Sequence, residues 1–207
     1  GIQQHTSAQV EIIAIVYECI RLRQKVKNKF SNLHQYNLDN RRLEAMKTMT
    51  SGYPMLIDLR ERRVVVVGGG SVAARKVHGL LDAGALVTVI SPAQHDDLTA
   101  LKDRIETWET EYAPGMLTNM MQWEIIPLLV FAATDSPEVN RQIADEARAL
   151  GILVSVADDG SAGNFATMAV VRRGAITLAV ATDGASPALA AHLRAKLEAA
   201  VGEEYAT

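Results

Sequence analysis

The sequence predicts an α/β protein: a mostly parallel sheet with helices on both faces, followed by a small α+β module. Three observations carry this. From Tyr53 onward, short β-branched runs alternate with helical runs, the order of successive βαβ units. The strand candidates are near-continuous apolar runs rather than alternating, as strands buried on both faces tend to be. The first of them runs into VVVVGGGSVAARK, a glycine turn that opens a helix.

Taken in order, residues 1–52 carry an apolar helical stretch over roughly 9–30, the polar SNLHQYNLDNRR, and a short helical LEAMKTM. They read as a helical appendage of unknown role. Eight Lys/Arg against four Asp/Glu give this segment a net charge of +4, against thirteen and twenty, or −7, for residues 53–207; the two parts differ in kind. The basic run RLRQKVKNK has no nucleic-acid motif and little aromatic interleaving, so it reads as a solvated helix face and nucleic acid is not an expected partner. Strands are expected at Val64–Val67, Leu86–Ile90, Leu128–Ala132 and Ile152–Val156, with helices at Ser71–Ala83, Asp96–Lys102 and Pro137–Leu150. These elements make 53–157 one domain. After Val156 the rhythm breaks: ADDGSAGN is turn-rich, FATMAVV and AITLAVA read as strands around the turn RRG, and SPALAAHLRAKLEAAV reads as a helix. Residues 158–207 therefore form a second, smaller module.

Composition excludes several classes. With 48% hydrophobic and 22% charged residues the chain is that of a globular protein, and at 5% aromatics its core must be aliphatic. Apolar stretches such as Ile12–Tyr17 fall far short of the ~20 residues that span a bilayer, and no leader pattern is present; a cytoplasmic protein without a membrane partner is expected. Cys19 is the only cysteine, and His5, His34, His78, His95 and His192 are scattered. That rules out an internal disulfide and predicts no resident metal.

The glycine turn reads as G-x-G-x-x-A, a Rossmann-like fingerprint. Gly68 permits the tight turn, Gly70 lets a pyrophosphate approach the backbone, and Ala73 is the small residue where helix and strand pack. The helix start at Ser71, Val72 and Ala73 offers free N–H groups to phosphates. The acid that usually binds ribose at the end of the second strand is replaced by Ser91, Pro92 and Ala93, with no arginine for a 2′-phosphate; NAD is the expected cofactor. Thr134 and Asp135 end the next apolar strand at the ligand edge, where Asp135 reads equally well as a helix cap before Pro137.

The segments YPMLIDLRERRVVVVGGGSVAARKV, AATDSPEVNRQIADEA, GILVSVADDGSAGNF, AVVRRG and ATDGASPALAAHLRAKLE together resemble the precorrin-2 dehydrogenase/sirohydrochlorin ferrochelatase family, the first module of siroheme synthases. The resemblance runs from Tyr53 to about Glu198. It implies NAD-dependent oxidation of precorrin-2 to sirohydrochlorin, insertion of Fe²⁺ into the product by the same site in many members, and a homodimer whose dimerisation and tetrapyrrole-binding module is residues 158–207. The family's functional aspartate matches Asp158, which without the resemblance is an ordinary turn residue. Ser186 matches a serine near the tetrapyrrole pocket, although Ser186-Pro187 is also a sufficient helix cap. Arg172, Arg173, Arg194 and Lys196 are candidate partners for the substrate's carboxylates.

The sequence departs from the family pattern in three places. Asn164 and Met168 stand where an aspartate and a proline are frequent, which predicts a charge lost beside the pocket. The pattern continues past KLEAAV, so the second module is expected to be truncated. Residues 1–52 have no counterpart, which fits a fusion or a start misplaced upstream of Met46 or Met49. Two other functions compete: a non-catalytic NAD-sensing domain, which would not need Asp158, and a methyltransferase, which commonly has the ribose-binding acid missing here.

Overall fold

The computed structural model describes residues 52–182 and 186–206; the helices expected within 1–52 lie outside the described residues. The strands are β1 (Arg63–Val67), β2 (Leu86–Ile90), β3 (Glu106–Trp108), β4 (Leu129–Ala132) and β5 (Leu153–Val156), and the helices between them are α1 (Ser71–Asp82), α2 (Asp96–Thr99), α3 (Met116–Gln122) and α4 (Pro137–Ala149). They build a five-stranded sheet of order β3-β2-β1-β4-β5, parallel at every pairing. The strands and helices expected from Tyr53 onward are present within a few residues, and the mostly parallel α/β reading is correct.

β1 shows why its valines are needed. Val64 and Val66 enter one core layer with Ala73, Ala74, Val77 and Leu80 of α1. Val65 and Val67 enter the opposite layer with Leu117 and Met120 of α3 and Ile143, Ala144 and Ala147 of α4. Side chains alternate across a strand, so in a strand covered on both faces successive residues enter opposite core layers and apolar side chains are favoured at each.

Two elements were not expected, β3 and α3. β3 has three residues and pairs only at the sheet's edge, Thr88–Ile90 with Glu106–Trp108. α3 follows Gly115, whose φ of 91° places it in the left-handed region, and its own sequence supplies no side-chain cap. The cap comes from α4. Glu146 accepts hydrogen bonds from the Gly115 N–H (2.9 Å), the Thr118 N–H (2.9 Å) and the Thr118 hydroxyl (2.8 Å), and from the Tyr112 hydroxyl. Burial alone would raise the Glu146 carboxyl, but these donors hold it below its ordinary value. Burial, and then the bond to Glu146, push the Tyr112 hydroxyl upward.

The stretch after β5 is pinned to that edge strand before it becomes a strand itself. Asn164 donates its N–H to the Val154 carbonyl (2.9 Å), and its Oδ1 accepts the Val154 N–H at 2.7 Å. Phe165 packs edge-to-face on Phe131, with ring centroids 5.4 Å apart. Hence β6 starts at Ala169 rather than Phe165, runs to Arg173, and pairs with β7 (Ile176–Val180). Covering an edge in this way removes its open hydrogen-bonding groups. It also gives Asn164 a structural role: the side chain seals β5 near the strand's start.

The described residues fall into two compact units. The first holds the five-stranded sheet with its helices and residues 186–190. The second holds residues 170–180 of the β6–β7 hairpin together with 191–206, which include most of α5 (Pro187–Ala200). Within the second unit, Arg173 lies 3.3 Å from Glu203 and 3.7 Å from Glu198.

Candidate functional site

β1, β2, β4 and β5 end level: Val67 pairs with Ile90 on one side and Ala132 on the other, and Ala132 pairs with Val156. The chain leaves β1 toward β2 and β3, then returns to the other side at β4. The crevice above β1 and β4 is therefore the sheet's topological switch point, where open α/β sheets bind ligands.

The loop after β1 is shaped by three consecutive glycines with three different jobs. Gly68 has φ +120°, and a Cβ there would lie 2.2 Å from the Ala133 carbonyl oxygen. A Cβ on Gly69 would lie 1.9 Å from the Ala93 oxygen and 2.5 Å from Ser91 Oγ. Gly70 is different. A Cβ there meets nothing within 4 Å, so its absence leaves open space over the start of α1. Gly70 caps α1 without any side-chain hydrogen bond and no acidic residue stands in the first turn, which leaves the N–H groups of Ser71, Val72 and Ala73 without intrahelical partners. Ser71 and Val72 are exposed and Ala73 is buried against the sheet. This arrangement fits the pyrophosphate of a dinucleotide: donors, the positive end of a helix dipole, and room.

Gly69 is a residue whose role the sequence did not single out. It fixes the neighbouring loop, since its carbonyl also accepts the His95 N–H at 2.8 Å. Ser91 is part of the same brace: it is 6% exposed and its hydroxyl donates to the Ala93 carbonyl at 2.6 Å. That proton is committed within the loop, whereas Pro92 and Ala93 stand exposed beside it.

The loop after β4 supplies Thr134 and Asp135. Asp135 is exposed, and it is Ser136 that caps α4, its Oγ accepting the Val139 N–H at 3.4 Å. Thr134 is locked to Asn140 on α4. The Asn140 Oδ1 accepts the Thr134 N–H (3.0 Å) and hydroxyl (2.7 Å), and its Nδ2 donates to the Thr134 carbonyl (3.1 Å) and to Asp158 Oδ1 (3.1 Å). Asn140 is 1% exposed.

Asp158 stands two residues beyond the end of β5 and opens onto a cleft of about 260 Å³, lined by Pro137, Arg141, Val156, Asp158, Asp159 and Ala162. Asp159 is held by its own loop. The Ser161 hydroxyl and N–H donate to it at 2.5 and 3.0 Å, and the hydroxyl's bond is the main reason its carboxyl lies below the ordinary value. Arg141, on the second turn of α4, is the cleft's cation. It is exposed and lies within 4.0 Å of no carboxylate among the described residues. Neither Arg141 nor Asn140 was singled out from sequence. Both sit on α4 at positions that read as ordinary helix surface until β5 is placed beside it.

The other substrate candidates have local partners or stand exposed. Arg194 is paired with Glu198 at 3.1 Å and Arg173 with Glu203 and Glu198, while Arg172 is exposed. Ser186 caps α5, its Oγ accepting the Leu189 N–H at 3.2 Å. Among the described residues no cluster of three metal-ligating side chains occurs, and no helix is long and apolar enough to cross a membrane.

Fold, switch point and phosphate-cradling turn define a dinucleotide-binding Rossmann domain. Comparison with known proteins agrees: residues 55–169 match an NAD(P)-binding family, and residues 173–200 match the family described as sirohaem biosynthesis protein central. Siroheme synthase of Chromobacterium violaceum is 40% identical over 155 residues, 74% of this chain and 32% of that protein. Siroheme synthase of Gluconacetobacter diazotrophicus is 39% identical over 149 residues, 71% of this chain and 31% of that protein. Among solved structures, SirC, a precorrin-2 dehydrogenase, superposes with a TM-score of 0.63 at 30% identity, over 75% of this chain and 74% of that one. The chain belongs to the family that unites precorrin-2 dehydrogenases with the corresponding module of siroheme synthases. It spans about a third of the length of the siroheme synthases it matches.

Proposed function

We propose that this chain oxidises precorrin-2 to sirohydrochlorin with NAD⁺ as hydride acceptor. The observation that carries the reading is the position of Asp158: a carboxylate at the ligand edge of β5, tied through Asn140 to the loop that follows β4, with only β4 between its strand and β1, which carries the phosphate-cradling turn. The N–H groups of Ser71, Val72 and Ala73 hold the pyrophosphate, and Thr134 and Asp135 border the crevice in which the rest of the dinucleotide lies. Bound NAD⁺ supplies the electron sink for the hydride that leaves the reduced macrocycle. Asp158 takes the proton released with it, as a positioned general base. Arg141, free of carboxylate partners among the described residues, meets one of the substrate's carboxylates, and Arg172 is a further contact.

The same carboxylate serves a second reaction, the entry of Fe²⁺ into sirohydrochlorin, by accepting a pyrrole N–H proton as the metal binds. Here iron is a substrate. The reading includes a cytoplasmic homodimer built through the second unit, with NAD preferred to NADP because neither an acid nor an arginine stands at the end of β2.

The test is spectral. With NAD⁺ and precorrin-2 the protein generates NADH and the sirohydrochlorin absorption spectrum; Fe²⁺ or Co²⁺ added after oxidation then converts that spectrum to the metallated form. A folded sample that binds NAD⁺ yet yields no NADH moves the reading to a non-catalytic NAD sensor.

A further inference from the structure

The strongest unexplained feature of the site is a buried amide. Asn140 is almost wholly enclosed, and the orientation of its carboxamide is dictated by one residue. The Thr134 N–H can only donate and the Thr134 carbonyl can only accept, so Oδ1 must face the former and Nδ2 the latter. One Nδ2 proton is then used, and the other points at Asp158 Oδ1, 3.1 Å away. The alternative flip would leave donor facing donor and acceptor facing acceptor. A buried polar side chain that satisfies two loops at once is costly to misplace.

We infer that Asn140 is a positioning residue for Asp158. It donates to Oδ1, keeps that oxygen an acceptor, and leaves Oδ2 as the one to receive a proton. Because the amide is clamped to the Thr134 backbone, the loop after β4 and the acid after β5 act as one rigid unit, so that the acid is held in fixed register with the dinucleotide edge. This inference rests on the reading of Asp158 as the proton acceptor, and its test has one arm that does not depend on any turnover.

In the first arm the Asn140 side-chain amide is followed by ¹H–¹⁵N NMR in the full chain. Replacing Asp158 by Ala is expected to shift one Nδ2 proton and speed its exchange, while the proton bonded to Thr134 keeps its protection. If neither proton responds, the amide does not hold the acid and the inference falls. The second arm is a double-mutant cycle on precorrin-2 oxidation. Asn140→Asp keeps an acceptor for the Thr134 N–H and hydroxyl but turns lone pairs toward both the Thr134 carbonyl and Asp158; kcat is expected to fall between about ten- and a hundred-fold, with KM for NAD⁺ changed by less than about two-fold. In the Asp158→Ala background the same replacement is expected to change kcat by less than about two-fold, because the effect travels through Asp158. Equal losses in both backgrounds, or a loss confined to NAD⁺ binding, would overturn it. Should Asn140→Asp not fold, the amide arm, which leaves Asn140 intact, decides. Wild-type protein that produces no NADH would refute the dehydrogenase reading and leave that arm to judge the positioning.

Discussion

Gly69 and Gly70 are neighbours with opposite expected responses to substitution. In Gly69→Ala the new methyl would sit 1.9 Å from the Ala93 oxygen, a backbone atom, and 2.5 Å from Ser91 Oγ. Ordinary carbon–oxygen contact needs ~3.2 Å, so the loops must part by roughly 1.3 Å or strain by that much, a case of overpacking that typically costs about 1–3 kcal/mol. For a chain of this size that corresponds to a fall of about 2–12 °C in Tm. Gly70→Val meets the reverse situation. The backbone there, φ −80° and ψ −177°, suits any residue, and nothing lies within 4 Å of the added carbon; the isopropyl group fills only the space above the α1 N-terminus. Tm is therefore expected to stay within about 2 °C of wild type, while NAD⁺ affinity falls on the order of a hundred-fold or more, about 2.7 kcal/mol. Differential scanning fluorimetry and isothermal titration with NAD⁺ read both quantities on the same samples. Retained NAD⁺ affinity in Gly70→Val, or a wild-type melting temperature in Gly69→Ala, would refute the assignment of packing to one glycine and ligand room to the other.

The remaining predictions concern α4. Glu146→Gln leaves one amide oxygen for two pairs of donors, so one pair goes unmet; the expected cost is about 2 kcal/mol, read as a lower urea midpoint. Because the surrounding donors hold the Glu146 carboxyl below its ordinary value, its contribution is complete above the usual carboxylate pKa of ~4.3 and is lost as pH falls through the lower folded value. The gap between wild type and variant should thus be full at neutral pH and shrink in acid; a gap unchanged at low pH would contradict the charge-based cap. Arg141→Gln is expected to raise KM for precorrin-2 by about ten-fold or more, with KM for NAD⁺ unchanged and Arg141→Lys intermediate; an unaltered tetrapyrrole KM would remove Arg141 from the substrate contacts. Asp158→Asn is expected to slow metal insertion and oxidation by about a hundred-fold or more, measured in the spectral assay with folding checked by circular dichroism. Full activity in that variant would exclude it as the proton acceptor.

Legibility followed the range of the forces involved. β1, β2, β4 and β5 were readable because each is a largely apolar run whose burial is imposed by the sheet itself, and α1 and α4 because glycine and Pro137 mark their starts within a few residues, although the cap of α4 is Ser136 rather than Asp135. α3 was not, since its cap, Glu146, lies 28 positions beyond Thr118; no local signal announces it. β3 has too few residues to show a period. In the site, the glycine turn was legible from spacing, and Asp158 from the resemblance to a family rather than from any local pattern. Asn140 and Arg141 were invisible in sequence for a physical reason: an asparagine and an arginine near the start of a helix look solvated, and only the adjacent β5 turns one into a buried clamp and the other into a wall of the cleft. The edge-sealing role of Asn164 was hidden for the same reason: its partner, Val154, lies ten positions earlier on β5.

The most direct measurement is a crystal structure of the chain with NAD⁺ bound, refined beside one with sirohydrochlorin added. The account predicts the pyrophosphate over the N–H groups of Ser71–Ala73, the nicotinamide end in the crevice between the loops after β1 and β4, and the macrocycle against Asp158 with a carboxylate on Arg141. A dinucleotide lying elsewhere on the sheet, or an Asp158 carboxylate walled off from both ligands, would contradict it.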